Sequence, residues 1–287
     1  MNYRFKSLFF ACGSIFSMTI WQDFTPAGTL TEIQQRHKVV IAVKDNLAPL
    51  GFRDRNGNLQ GLEIDIARQL ATELSNHEHA NASPPVLSRS KTEIPSRSPQ
   101  QPATAELIPV VNQNRLKVVI DGTVDLAIAR VTITPTRSHV VDFSRYYYLD
   151  GTGIVTDRVE IVKTRDLVGK KVAVLNNSST IATLQYMIPQ AQLVGVDSYQ
   201  QAQQLLATQK VIAIAADRSL LIGWAQTNPK YHLLPDKLST EALGIVIPKG
   251  IKYQPLRDSI DRAIDRWQAS GWLQQRIEYW GLKQSAN

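Results

Sequence analysis

The chain has 287 residues, of which 43% are hydrophobic and 20% are charged, so it can bury a sizeable core in one large domain or two small ones. Its net charge of +7 comes from basic residues spread along the chain rather than from a block of like charges. No basic patch with interleaved aromatic residues is visible, which argues against nucleic-acid binding.

Residues 1–27 have the features of a secretory signal peptide. A basic start precedes an apolar run over residues 7–20, and the small residue Ala27 follows. The run is short for a transmembrane span, which needs about 20 residues. We therefore expect a periplasmic protein. A lipid anchor at Cys12, the only cysteine, is the alternative, although bulky phenylalanines stand before it where lipoprotein signals carry small residues.

The next elements are a buried strand over residues 38–43 and an amphipathic helix from Glu63 to Leu74. Residues 75–106 differ in kind, because they are polar and contain five of the 14 prolines. Such a segment buries too little apolar surface to offset the entropy of ordering, so we predict a flexible insertion. Order resumes at Leu107 in this prediction.

A helix-turn-strand unit occurs twice. The first copy predicts a helix over residues 114–120 and a strand over 124–129, V-D-L-A-I-A, which ends at Arg130. The second predicts a helix over 199–208 and a strand over 211–216, V-I-A-I-A-A, which ends at Asp217. Because ligands of open α/β sheets lie beyond the carboxyl ends of strands, we expect these opposite charges to face each other across a cleft.

The second half of the chain continues the α/β pattern. Residues 166–174 predict a turn and a buried strand, and the polar segment 176–180 opens a helix. The free N–H groups of that helix start can bind a carboxylate, although simple N-capping explains the segment equally well. Two amphipathic helices, 256–267 and 272–280, are separated by Gly271.

Hydroxyls and a guanidinium follow the strand of the first unit. Thr132, Thr134 and Arg137 lie within six residues in the sequence T-I-T-P-T-R. An arginine fork with hydroxyls at a strand's carboxyl end suits the capture of a small carboxylate. The chain contains no catalytic or cofactor motif with adequate spacing, so neither an enzyme nor a cofactor or metal is predicted.

Residues 131–148, V-T-I-T-P-T-R-S-H-V-V-D-F-S-R-Y-Y-Y, resemble the signature of the polar amino-acid-binding proteins of ABC importers, the family 3 periplasmic solute-binding proteins. The resemblance covers residues 31–282 apart from the insertion. It implies an α/β, two-lobed periplasmic-binding-protein fold of type II, with two crossover hinge strands. Lobe one would comprise residues 31–149 plus 245–287, and lobe two residues 150–244.

The resemblance also implies which residues hold the carboxylate of the ligand. Arg137 would bind the α-carboxylate bidentately, because its planar fork matches that group. The hydroxyl and backbone N–H of Thr132 would assist from the same lobe. The backbone around Ser178 and Ser179 would add donors from the second lobe.

Four further residues are implied around the rest of the ligand. Asp217 would accept from the α-ammonium together with the carbonyl of Arg130, and Asp45 would line the side-chain pocket. Leu50 stands where the family usually places a ligand-stacking aromatic, and Arg130 stands where Gly or Ser is usual. The lost aromatic and the added cation favour ligands with acidic or neutral side chains.

The implied function is that of the substrate-binding subunit of an ABC transporter for polar amino acids. It would be a monomer that closes on its ligand and then meets the permease subunits in the membrane. Two alternatives share the fold, since fold does not fix function. One is a sensor module that acts with a partner protein, and the other is an enzyme similar to cyclohexadienyl dehydratases.

Overall fold

The computed structural model describes residues 27–75, 103–176 and 178–282. Its helices are α1 Leu30–Arg36, α2 Leu62–Ser75, α3 Lys117–Ile120, α4 Pro135–Ser138, α5 Ser179–Met187, α6 Tyr199–Ala207, α7 Arg218–Thr227, α8 Gln254–Ala269 and α9 Trp272–Tyr279. Its strands are β1 Lys38–Val43, β2 Asn46–Leu47, β3 Gly51–Arg53, β4 Leu59–Gln60, β5 Thr104–Pro109, β6 Leu126–Ile128, β7 Asp142–Asp150, β8 Thr152–Thr156, β9 Lys171–Leu175, β10 Gln192–Val196, β11 Ala213–Asp217, β12 His232–Leu233 and β13 Glu241–Ile247.

The first lobe is built on a five-stranded sheet with the order β5-β1-β6-β13-β7. Strand β1 runs parallel to β5 and β6, whereas β13 runs antiparallel to β6 and β7. Ile41 and Val43 lie in a large core with side chains of α2, α8 and α9, while Ala42 packs on the opposite face. This alternation is what a strand covered on both faces requires. The carboxyl ends of β1, β5 and β6 therefore share one edge.

The second lobe has a sheet of the same size with the order β10-β9-β11-β8-β12. Strands β10, β9 and β11 are parallel, and β8 and β12 are antiparallel to their neighbours. Val172 and Val174 lie in one core and Ala173 in another on the opposite face. Each lobe thus has a parallel centre whose strands end at a common edge.

The chain passes between the sheets at two adjacent places. Strand β7 ends at Asp150, and β8 of the second sheet begins two residues later at Thr152. Strand β13 returns to the first sheet at Glu241, which pairs with Asp150. A side chain at Gly151 would place its Cβ 2.0 Å from the Ser239 carbonyl oxygen. Glycine at this position therefore lets the two crossings pass close together.

Helix α7 of the second lobe packs directly on the first lobe. A Cβ at Gly223 would lie 2.5 Å from the Ala48 carbonyl oxygen and 2.9 Å from a carbon of Pro49. Ile222 packs against the large core of the first lobe. The two lobes are consequently in contact on this side of the molecule.

The order of elements follows the sequence prediction closely. The strand over 38–43, the α2 helix, the turn and strand near 166–174 and the two C-terminal helices are confirmed. The predicted helix over 114–120 is wrong in length, because a 3₁₀ turn at Asn112–Asn114 precedes a helix that begins only at Lys117.

The prediction of an insertion over 75–106 is also wrong at its ends. Ser75 ends α2, and Thr104–Glu106 pair with β1 as part of β5. The remainder of that segment lies outside the described residues, as do residues 1–26 with Cys12. In the parts of the chain that the structure does describe, none of the helices has both the length and the apolar character needed to cross a bilayer.

Ala27, the last residue of the predicted signal peptide, belongs to the folded structure. It is buried, and its carbonyl accepts a hydrogen bond from the Tyr253 hydroxyl at 3.2 Å. The next residue, Gly28, donates its N–H to the carboxylate of the buried Asp125 at 2.6 Å. Removal of Ala27 would therefore take away a packed residue.

Candidate functional site

Arg130 and Asp217 meet in an ion pair between the two lobes. Arg130 follows β6 of the first lobe, and Asp217 is the last residue of β11 in the second. The guanidinium Nη2 contacts Oδ1 of Asp217. The sequence repeat predicted that these charges would face each other, and the structure confirms it.

Two further carboxylates surround the Arg130 guanidinium. Oδ2 of Asp150 lies 3.5 Å from its Nε, and Oε2 of Glu241 lies 4.0 Å from its Nη2. These two residues stand at the crossings between the sheets. Burial alone would lower the pKa of Arg130, but the carboxylates of Asp217 and Asp150 raise it above its ordinary value. The guanidinium is thus a fixed cation at the junction of the lobes.

The carboxylates of this cluster already have partners. Asp150 accepts from the N–H of Ser219 at 3.0 Å and from its hydroxyl at 2.6 Å, at the start of α7. Asp217 accepts from the Tyr199 hydroxyl at 3.5 Å. Burial raises the pKa of the Asp217 carboxyl to about 6; Arg130 opposes the rise and Asp150 adds to it.

The backbone of Arg130 is clamped by the first lobe. Its N–H donates to Oε1 of Glu63 at 2.7 Å, and the same oxygen accepts from the Tyr147 hydroxyl at 2.5 Å. Its carbonyl accepts from the guanidinium of Arg115, which also donates to the Ala129 carbonyl at 3.0 Å. Burial raises the pKa of Glu63, and the hydrogen bond from Tyr147 opposes that rise. These contacts hold Arg130 at a φ of 52°, in the left-handed region.

Arg137 lies in the short helix α4, which Thr134 caps by accepting from the Arg137 N–H at 3.3 Å. Its guanidinium donates from Nη1 to the Thr132 carbonyl at 2.8 Å. Among the described residues it forms no ion pair, and its other N–H groups have no hydrogen-bond acceptor. Burial lowers the pKa of Arg137, and the nearby Arg130 cation lowers it further. The more distant carboxylate of Glu241 opposes both effects, but no carboxylate of the described residues forms an ion pair with this half-buried cation.

Arg115 adds to the positive charge near this point. Burial lowers its pKa to about 10, and the cations of Arg130 and Arg137 contribute to the effect. Thr132 lies beside the cluster, where its hydroxyl donates to Oε2 of Glu241 at 3.2 Å. Three arginines from one lobe therefore converge on the cleft, and the carboxylates present pair with Arg130 in preference to Arg137.

Ser178 and Ser179 form the start of helix α5 in the second lobe. Ser178 is the N-cap residue, but its hydroxyl makes no capping hydrogen bond. Its Oγ is buried without a hydrogen-bond partner in the described residues, and its N–H donates to the Leu175 carbonyl at 3.3 Å. The helix start thus keeps polar groups that protein atoms do not satisfy.

Two predicted site residues have other partners in the structure. Asp45 pairs with Arg53, whose Nε lies 3.2 Å from Oδ2. None of the described contacts brings Asp45 to Arg130 or Arg137. Leu50 has no exposed surface and packs in the large core of the first lobe. Its environment is filled by protein, which corrects the expectation that its side chain meets a ligand.

Sequence reasoning missed several residues of this cluster. Glu63 reads as an ordinary acid in the first turn of a helix, and Tyr147 as one of three consecutive tyrosines. Arg115, Asp150 and Glu241 carry no local motif. Their partners are far away in the sequence, so these residues are recognised only once the fold brings them together.

Residues 99–283 match the family model of the bacterial extracellular solute-binding proteins, family 3. The chain belongs to this family. It is 24% identical over 273 residues to the ABC transporter glutamine-binding protein GlnH of Bacillus subtilis, covering 94% of this chain and 90% of the relative. It is 27% identical over 233 residues to the glutamine-binding protein of Geobacillus stearothermophilus, covering 79% of this chain and 80% of that relative.

A solved structure shares the fold. The ancestral amino acid-binding protein AncCDT-1, a precursor of cyclohexadienyl dehydratase, superposes with a TM-score of 0.65 at 23% identity and covers 88% of this chain and 98% of its own. The predicted fold, a type II periplasmic-binding fold with two lobes, is confirmed. The relatives are for the most part binding proteins of transporters rather than enzymes.

Proposed function

We propose that this chain is the substrate-binding subunit of an ABC importer, and that its cleft captures a small polar solute of amino-acid size through a carboxylate. The observation that carries the proposal is Arg137, a half-buried guanidinium without an ion pair among the described residues. A cation in that state is stabilised by an anion that arrives with the ligand.

The carboxylate would bind between the lobes. Arg137 would donate two parallel N–H groups from the first lobe, next to the hydroxyl of Thr132. Ser178 and Ser179 would contribute donors from the start of α5, where the helix dipole favours an anion. Such a ligand contacts both lobes only when they are together. It therefore stabilises the closed form by the difference between its affinities for the closed and open forms.

The charges of the site bear on the rest of the ligand. The cations of Arg130 and Arg137 lie close enough to lower the pKa of Arg115, and the cation of Arg130 lowers that of Arg137. A cationic ligand side chain would meet like charge here, whereas an acidic or neutral one would not. We therefore propose acidic or neutral ligands over cationic ones.

The proposed lobes are residues 31–149 plus 245–287 and residues 150–244. The closed, ligand-bound protein, a monomer in this proposal, would be presented in the periplasm to the permease subunits. Capture and release require no bond to be made or broken. The enzymatic alternative would use Asp217 as an acid, and the sensor alternative would replace the permease with a signalling partner.

A thermal-shift screen tests the proposal. The protein from Ala27 onward, which retains every described residue, is melted with saturating amino acids, 2-oxo acids, 2-hydroxy acids and dicarboxylates. A ligand at about 100 times its dissociation constant adds about 2.7 kcal/mol to stability. We expect a shift with at least one carboxylate and none with its amide. A protein that no carboxylate stabilises contradicts the proposal, and turnover of prephenate or arogenate would establish the enzymatic alternative.

A further inference from the structure

The family resemblance implies that an amino acid would present its α-ammonium group to the Asp217 carboxylate and the Arg130 carbonyl, and the guanidinium of Arg130 already contacts that carboxylate. We propose that the ligand of this chain is a small carboxylate that lacks a protonated amino group, such as a 2-oxo acid, a 2-hydroxy acid or an unsubstituted dicarboxylate. This inference rests on the proposed function, because it assumes that Arg137 holds the carboxylate.

Both acceptors that an ammonium group would use are engaged by the protein itself. The Asp217 carboxylate contacts Nη2 of Arg130 and lies within 3.5 Å of the Tyr199 hydroxyl. The Arg130 carbonyl accepts from the guanidinium of Arg115. An incoming ammonium would have to share each of them with an arginine cation.

The nearby carboxylates do not offer a substitute. Asp150 is held by the N–H and hydroxyl of Ser219, and Glu241 accepts from the Thr132 hydroxyl. An ammonium group in this region would also lie beside the buried guanidinium of Arg130. Like charges that are shielded from water repel each other more strongly than in solvent. The cluster therefore already holds a cation, Arg130, where the ammonium group would lie.

The arrangement of Arg130 is imposed by the structure around it. A residue other than glycine at a φ of 52° is in a sparsely populated region, and such a residue persists where its surroundings over-determine it. Glu63 fixes the N–H of Arg130 and Arg115 fixes its carbonyl, which leaves the side chain to reach the second lobe. Two partly buried hydrogen bonds thus maintain a cation at a position where glycine would be free of strain.

One N–H donor of the Arg130 guanidinium is not used in a hydrogen bond with the described residues. Its Nε is buried without a hydrogen-bond acceptor in the described residues, although Oδ2 of Asp150 lies 3.5 Å away. An oxo or hydroxyl oxygen accepts hydrogen bonds, whereas an ammonium group only donates. The chemistry of this corner therefore complements an oxygen substituent.

Calorimetric titrations with matched ligands test the inference. Glutamate, 2-oxoglutarate, 2-hydroxyglutarate and glutarate form one series, and alanine, pyruvate and lactate form another. For wild type we expect at least one compound without the amino group to bind tenfold or more tightly than its amino acid. Tighter binding of the amino acids would overturn the inference and leave the proposed function standing. Binding of neither class would refute both.

Arg130→Gly provides the reciprocal test. Glycine adopts the positive φ without strain and frees the Asp217 carboxylate, so the variant should gain affinity for amino acids by tenfold or more. Wild-type preference retained in Arg130→Gly would overturn the role of Arg130.

If Arg130→Gly fails to fold, Asp217→Asn decides the point. An oxo acid should bind Asp217→Asn as tightly as wild type or more tightly, because the substitution removes only a negative charge. A tenfold loss of binding of the matched amino acid to Asp217→Asn would instead show that Asp217 holds its ammonium group, and would overturn the inference.

Discussion

Replacing Tyr147 with phenylalanine should destabilise the protein by removing a donor to a buried carboxylate. Tyr147 and Glu63 are fully buried, and the hydroxyl donates to Oε1 at 2.5 Å. The other oxygen of Glu63 has no hydrogen-bond partner among the described residues. A hydrogen bond to a charged group contributes about 1.5–3 kcal/mol, and the ring is retained, so we expect a loss near 2 kcal/mol.

The loss should depend on pH in a defined direction. Burial raises the pKa of Glu63 above its unfolded value, and the Tyr147 hydroxyl limits that rise. Without the hydroxyl the folded-state pKa rises further, so the ionised carboxylate destabilises the variant more as the pH increases. Urea denaturation of Tyr147→Phe should therefore show a greater loss at pH 8 than at pH 5.

Tyr148 supplies a matched control in the adjacent residue. It is also buried, but its hydroxyl donates to the Leu282 carbonyl at the longer distance of 3.5 Å. Tyr148→Phe should cost about 0.5 kcal/mol, with little dependence on pH. Equal losses for the two variants, or a pH-independent loss for Tyr147→Phe, would refute the assignment of Tyr147 as the donor that supports Glu63.

Two other substitutions probe the contact between the lobes. Gly223→Ala places a Cβ 2.5 Å from the Ala48 carbonyl oxygen, so it should cost about 1–3 kcal/mol in urea denaturation, and an unchanged midpoint would contradict the tight packing of α7. The folded-state pKa of Asp217 lies near 6, above its unfolded value, so this group's contribution to stability is fully present below about pH 4 and falls as the pH rises through 6. The difference in unfolding free energy between wild type and Asp217→Asn should change by about 2–3 kcal/mol over that range, and parallel pH profiles would contradict it.

The sequence predicts the architecture well where its pattern is strong. The two apolar strands that end in Arg130 and Asp217 are recognisable because buried parallel strands read as continuous apolar runs. Their charges meet because the carboxyl ends of such strands face the cleft in each lobe. Pattern and topology together were sufficient for this part of the site.

Other parts carried too little local signal. Strand β5 lies at the edge of the first sheet, and its first residues, Thr104–Glu106, alternate between exposed and partly buried positions. An edge strand of this kind needs few apolar residues, so its start reads as a loop. Glu63 contacts Arg130, which is 67 positions away in the sequence, and Tyr147, which is 84 positions away, and no spacing rule relates them.

Leu50 shows how a resemblance can mislead about a single side chain. The family position suggested a contact with the ligand. Burial of an aliphatic side chain in the adjacent core is more favourable than its exposure to a polar cleft, and Leu50 has no exposed surface. Arg130 shows the reverse. The resemblance identified Arg130 as a residue unusual at its position in the family. Only the structure reveals that its guanidinium contacts Asp217, the carboxylate expected to bind the ligand.

The capture of a carboxylate by Arg137 is the central claim, and titration of wild type, Arg137→Lys and Arg137→Ala tests it most directly. The probe is whichever carboxylate gives the largest thermal shift with wild type. Two hydrogen bonds to a charged group in a half-buried site are worth about 3 kcal/mol, so Arg137→Ala should bind about 100-fold more weakly. Arg137→Lys, which keeps the charge but loses the fork, should lie between the two. A loss below tenfold for Arg137→Ala, in a variant that melts like ligand-free wild type, would contradict the claim.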